Sequence, residues 1–193
     1  MKHFWFLLLL SVGLAAAPVS IGTNDSDISL LEHSDIYIEQ NAKLQHPPAP
    51  KTDGDYKPFG ADFVSFGYMN NEAVWIRFSL QNNGDTELTR VLHIDNSMLD
   101  SLTLYEDGGN PKNNGVVFYK RFDGIIDFHF DITLKPKETK HYYLRIMSNS
   151  CASYYHLYVE TENILWLKNI KRELILTFFA SIMIALAIYN AFL

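Results

Sequence analysis

The chain has a single cysteine, Cys151, so no disulfide can form within it. The fold must be held by packing alone. Two readings of the thiol stay open, a pair between chains or a small buried apolar residue, and the second is preferred. Positive charge is scarce as well: 16 Lys and Arg stand against 22 Asp and Glu, for a formal net charge of -6. Without a basic stripe, nucleic acid and anionic lipid surfaces are not expected partners. There is no GxSxG elbow, no HExxH and no phosphate-binding glycine loop. The expectation is a non-enzyme with no catalytic residue and no cofactor. Gly and Pro are missing from residues 160–193, and charge is missing from residues 174–193.

That last stretch, LILTFFASIMIALAIYNAFL, is long enough to cross a bilayer: helical residues rise ~1.5 Å each and the hydrocarbon core is ~30 Å thick. Because the chain stops inside it, two readings arise, a tail-anchored protein or the front end of a longer membrane protein. At the other end, Lys2 and His3 precede an apolar run over 4–14 and then Ala15, Ala16 and Ala17. This is the layout of a secretory signal peptide, with cleavage expected after Ala15. The expected organisation is a leader over 1–17, an exported domain over 18–160, a stalk over 161–173 and a membrane helix over 174–193. Lys168, Lys171 and Arg172 sit on the outer side in this scheme, against the positive-inside tendency. The leader is ranked higher because it acts first.

Between the ends the chain is rich in strand formers, with 8 of its 13 Phe and 10 of its 11 Tyr. Residues 45–60 are dense in Pro, Gly and Asp and read as a loop. Alternation then sets in. AVWIRFSL puts Val74, Ile76, Phe78 and Leu80 on one face and Trp75, Arg77 and Ser79 on the other. RVLHID, SLTLYE, FHFDITL, HYYLRIM and YYHLYV alternate in the same way. With two earlier segments near Ile28 and Asp35, this makes about eight strands, expected to form an antiparallel β-sandwich. After Val159 the spacing of Ile164, Leu165, Leu167, Ile170 and Leu174 becomes helical.

Several segments carry a resemblance. VSFGYMNNEAVWIRFSLQN, LHIDNSMLDSLTLYEDGG, LKPKETKHYYLRIMSNS and RELILTFFASIMIALAIYNAFL follow one another in order. They resemble the type 2 extracellular domain, and then the first transmembrane helix, of bacterial seven-transmembrane receptors with diverse intracellular signalling modules. The resemblance spans about residues 25 to 193. It implies a jelly-roll-like all-β ectodomain that binds a carbohydrate or another small ligand, in a receptor of the inner membrane, with the domain facing the periplasm. It also implies further spans and a cytoplasmic output module, so this chain would be a fragment without its output; a truncated gene is the other reading. A homodimer through the stalk and the membrane helix fits this plan. The competing function is a membrane-tethered adhesion or scaffold module that binds a protein or envelope glycan without signalling.

The residues opposite the expected core supply flat aromatic and planar hydrogen-bonding groups, which sugars need. The candidate ligand site is Trp75, Arg77, His93, Asp95, Tyr143 and Arg145, centred on an exposed Trp75. His93 with Asp95, and His129 with Asp131, have a spacing that can place two metal ligands on one strand face. Without third and fourth ligands, no metal site is expected. Asp53-Gly54-Asp55 lacks the rest of a calcium loop.

Overall fold

The computed structural model describes residues 17–47, 56–107, 109–118 and 124–192. The expected leader, apart from Ala17, and Asp53-Gly54-Asp55 lie outside the described residues. The order begins β1 (Val19–Ile21), β2 (Asp27–Ser29), a 3-10 turn (Leu31–His33), β3 (Asp35–Gln40), β4 (Lys57–Pro58) and β5 (Val64–Gly67). It continues β6 (Glu72–Asn82), β7 (Leu88–Ile94), β8 (Ser101–Glu106), β9 (Lys112–Asn114) and β10 (Phe128–Leu134). Then follow β11 (Thr139–Met147), β12 (Ser153–Tyr155), β13 (Leu157–Glu160) and α1 (Glu162–Ala191).

The strands form a β-sandwich. A seven-stranded sheet runs β4-β3-β6-β11-β8-β9, with β1 added parallel to the far end of β6. A four-stranded sheet runs β10-β7-β13-β2, and β12 pairs with β5 in a small third ribbon. Apart from β1 with β6, the described pairs are antiparallel. The alternation explains the layering. Val74, Ile76, Phe78 and Leu80 of β6 face Leu88, Leu92 and Ile94 of β7 and Phe130, Ile132 and Leu134 of β10 in one core. Phe78 stacks on Tyr142 at 5.4 Å.

The expected strand YYHLYV is two strands. β12 belongs to the small ribbon and β13 to the four-stranded sheet. The break falls at His156, whose backbone N–H donates to Asp95 Oδ1 at 2.5 Å instead of to a ladder partner. Cys151 is half-buried and packs at the core's edge.

Helix α1 starts one residue after β13, with Thr161 as its N-cap, and continues unbroken to Ala191. Among the described residues it is the one helix long and apolar enough to cross a membrane. Its first turns lie on the outer face of the four-stranded sheet. The apolar stalk spacing read from the sequence is not what docks: Leu165 is buried, but Leu167 and Ile170 are exposed. The docking stripe is Leu165, Lys168, Asn169 and Arg172, at i, i+3, i+4 and i+7.

Candidate functional site

The two sheets offer two outer faces, and the six expected site residues divide between them. Trp75, Arg77, Tyr143 and Arg145 meet on the large sheet. Register explains why: Tyr37, Trp75 and Arg145 are cross-strand neighbours in one row, and Asp35, Arg77 and Tyr143 in the next. Arg77 Nη2 lies 2.6 Å from Asp35 Oδ2, with its guanidinium 4.6 Å from the centre of the Tyr56 ring. The Arg145 guanidinium lies 5.7 Å from the centre of the Trp75 indole and donates to Ala42 O at 2.9 Å.

The expected exposure of Trp75 is corrected here. Its side chain points away from the core, as its parity requires, yet the residue is 0 % exposed. Burial comes from the segment after β3. The chain reverses at Asn41 and Ala42, both at positive φ, and folds back over the sheet. Leu44 N donates to Glu39 Oε1, and Tyr105 Oη donates to Gln45 O at 2.9 Å. Beneath this cover Trp75 Nε1 donates to Glu39 Oε2 at 2.8 Å, with Tyr105 tilted over the indole at 5.5 Å. Arg77 and Tyr143 remain half-buried at the margin of the layer.

His93 and Asp95 lie on the outer face of the four-stranded sheet, where α1 docks. His93 is buried between two carboxylates: Nε2 is 3.2 Å from Asp127 Oδ2 and Nδ1 is 2.8 Å from Glu160 Oε1. The helix supplies the cations. Arg172 Nη1 reaches Asp127 Oδ2 at 2.7 Å, while Lys168 Nζ reaches Glu160 Oε2 at 2.6 Å and Asp27 Oδ2 at 2.8 Å. Asn169 accepts from Ile126 N at 3.1 Å and donates to Gly124 O at 2.9 Å. Beside them Leu165 and Trp166 pack on Val91 and Ile125.

Burial alone would lower the His93 pKa, but its bonds to Asp127 and Glu160 reverse this and push it up to about 9. Burial opposes ionisation of both carboxylates, yet His93 and the helix cations hold each below its ordinary value. The junction is thus a fully charged network between sheet and helix. From it an aromatic row leads outward: Tyr158 lies 6.1 Å from His93 and stacks on His156 at 5.8 Å, and Phe63 and Tyr154 follow. Asp95 fixes His156, with Oδ2 at 2.8 Å from Nδ1.

Asp127, Glu160, Lys168, Asn169 and Arg172 were not among the expected site residues. For the last three the spacing was legible, since with Leu165 they stand at i, i+3, i+4 and i+7 on one helix face, but Glu162, Asn163, Lys171 and Glu173 in the same turns hide which polar face has a partner. Asp127 sits in a short connection whose position only the fold reveals.

The family model described as 7TMR-DISM extracellular 2 matches residues 31–159. No curated protein matches the chain.

Proposed function

The chain belongs to the family of type 2 extracellular domains of seven-transmembrane receptors, and from that membership we propose that it is the sensor region of such a receptor, binding a small ligand outside the cytoplasmic membrane and passing the change to its membrane helix. The observation that carries this reading is the junction. One continuous helix runs from the sandwich through a candidate span, and its first turns are fixed to the sheet by Lys168, Asn169 and Arg172. A flexible tether needs none of this. A helix pinned at several points follows any movement of the sheet it rests on.

The ligand class we favour is a carbohydrate or similar small molecule, in a bacterial inner-membrane receptor whose domain faces the periplasm. The aromatic row beside His93 supports it, as do Arg77 and Tyr143 at the margin of the covered layer. Binding fits the site better than catalysis. Both ring nitrogens of His93 face carboxylates, so neither is left to take a proton from a nucleophile.

The test is hydrogen exchange on the full chain in lipid nanodiscs, with and without candidate sugars. A sugar that binds and changes exchange in residues 162–172 supports the reading. Binding that leaves this segment unchanged rejects signal transfer through it.

A further inference from the structure

The helix leaves the domain in a definite direction. Leu165 packs on Val91, and two turns later Arg172 reaches Asp127, which in turn touches His93. Helix α1 therefore follows β7 from its start towards its end at Ile94. Leu174, the first residue of the uncharged stretch, lies ~3 Å beyond Arg172 along the helix. Ile94 lies ~3 Å beyond His93 along the strand. The loops past Ile94 thus stand level with the first uncharged turns of the helix. With α1 across a bilayer, this end of the sandwich faces it.

The same end gathers exposed apolar side chains. Met98 follows β7, Val116, Val117 and Phe118 follow β9, and Tyr68 follows β5. Tyr68 is 79 % exposed, Val117 69 % and Met98 65 %. The opposite end provides an internal comparison. Its connections, residues 22–26, 83–87 and 135–138, hold no exposed large apolar side chain and present groups such as Asn83, Asp85, Lys135 and Lys137. Exposed apolar residues scattered singly need no explanation, but a group confined to one end does.

The polar groups of this end satisfy one another. Val116 N donates to Leu99 O at 3.1 Å and Val117 N to Asp100 O at 2.9 Å. Asp100 Oδ2 accepts from Asn149 N at 2.6 Å and Ser150 N at 3.0 Å, and Asn149 Oδ1 accepts from Asn71 N at 3.0 Å. Gly115 allows the close approach, since its φ is +112° and a Cβ there would stand 2.6 Å from Asp100 O. Four loops are tied into one surface, with these backbone groups turned inward and the apolar side chains outward. Contact with lipid demands this arrangement, because backbone groups that lose water need partners within the protein. Loops 67–71, 95–100, 115–118 and 148–152 contain no Lys or Arg. Their two carboxylates, Asp95 and Asp100, are already bonded, to His156 and to the 149 and 150 amides. The surface is apolar and not electrostatic.

We propose that this end of the domain rests in the interfacial layer of the bilayer that α1 enters. Met98, Val116, Val117 and Phe118 reach the boundary between headgroups and acyl chains, and Tyr68 lies at headgroup level. The partner is the lipid surface itself, and no anionic lipid is required. The domain is then seated on the membrane as well as joined to it. This goes beyond the receptor reading and needs only that α1 spans the bilayer, not that the domain senses a ligand.

The experiment attaches a spin label, one site at a time, through Met98→Cys, Val117→Cys, Asp85→Cys or Phe178→Cys. The protein is the full chain carrying Cys151→Ser, in phosphatidylcholine nanodiscs. Collisions with oxygen, which concentrates in lipid, and with a water-soluble nickel chelate report depth. The Met98→Cys and Val117→Cys labels should favour oxygen and sit ~5–10 Å into the interface. The Asp85→Cys label should favour nickel, and the Phe178→Cys label should lie deep. If both loop variants misfold, the unsubstituted chain decides: nitroxide-bearing lipid should broaden the isotopically labelled Met98 methyl signal. Loop labels that favour nickel while the Phe178→Cys label is immersed overturn the proposal and leave the span. So does an unbroadened Met98 signal. Loop labels that contact a second labelled copy but not lipid also overturn it, in favour of an interface between chains. A Phe178→Cys label in water rejects the span and the proposal together. Exchange at 162–172 with a bound sugar remains the separate test of sensing.

Discussion

Trp75 and Glu39 are joined by a buried bond on what the strand pattern marks as the outside of the sandwich: the indole Nε1–H donates to Glu39 Oε2 at 2.8 Å. Both residues are almost fully buried. The indole therefore serves as the floor of a second, polar layer, between the large sheet and the segment that folds back after β3. Trp75→Ala is expected to cost ~3–5 kcal/mol, by loss of a buried aromatic and of the partner of a buried carboxylate. Urea unfolding of the full chain in detergent measures this. A loss below ~1 kcal/mol would mean the layer is easily opened and Trp75 accessible.

Stability should depend on pH through His93. Its folded pKa, about 9, lies above the ordinary 6.5, so its contribution is complete below about pH 6.5 and is lost as pH rises through 9. The shift corresponds to something on the order of 3 kcal/mol. Asp127 and Glu160 act oppositely: their folded values are depressed, so their contribution is present above the ordinary carboxylate range and is lost on acidification. Denaturation midpoints collected from pH 5 to 9 should fall on the alkaline side. His93→Asn should flatten that limb.

Gly124 permits the helix to dock. Its φ is +96°, and a Cβ there would stand 2.8 Å from Trp166 Cη2. Gly124→Ala combines backbone strain with a clash, and a cost of ~1–3 kcal/mol is expected. The damage should be local. Hydrogen exchange should rise in residues 162–172, with the strands of the large sheet unchanged.

Topology is open to a direct test. A reporter active only outside the cytoplasm, fused after Ser150, should be active. Activity of a cytoplasm-only reporter at that point would place the domain inside and reject the periplasmic reading.

Much of the sandwich was legible because burial on one side of a sheet writes a period of two into the chain. Val74, Ile76, Phe78 and Leu80 all reach the core the alternation assigned to them. The same rule misled at Trp75, since parity tells which face a side chain takes but not whether something covers that face. The cover comes from a different segment of chain, through contacts such as Arg145 to Ala42 that leave no periodic trace. The positive cluster stood against the positive-inside tendency, and its partners were invisible for a related reason: Lys168 and Arg172 are held by carboxylates of the domain. Their partners Asp27, Asp127 and Glu160 are far apart in sequence or ordinary in appearance. The split of the candidate site between two faces follows from the same gap: His93 and Arg77 look equivalent along their strands, but lie on different sheets.

The unbroken helix has a mechanical consequence. The anchors on Leu165, Lys168, Asn169 and Arg172 occupy about 10 Å of its axis, while the free length from Arg172 to Ala191 is about 28 Å. Taken as a stiff rod clamped at one end, it magnifies. A sideways displacement of 1 Å across the clamp becomes roughly 3 Å at the far end. Anchors spaced along the axis control tilt, and anchors spread around it, such as Lys168 and Asn169, also control rotation. A change in the charged junction is thus expected to alter both the tilt and the facing of the helix beyond Arg172.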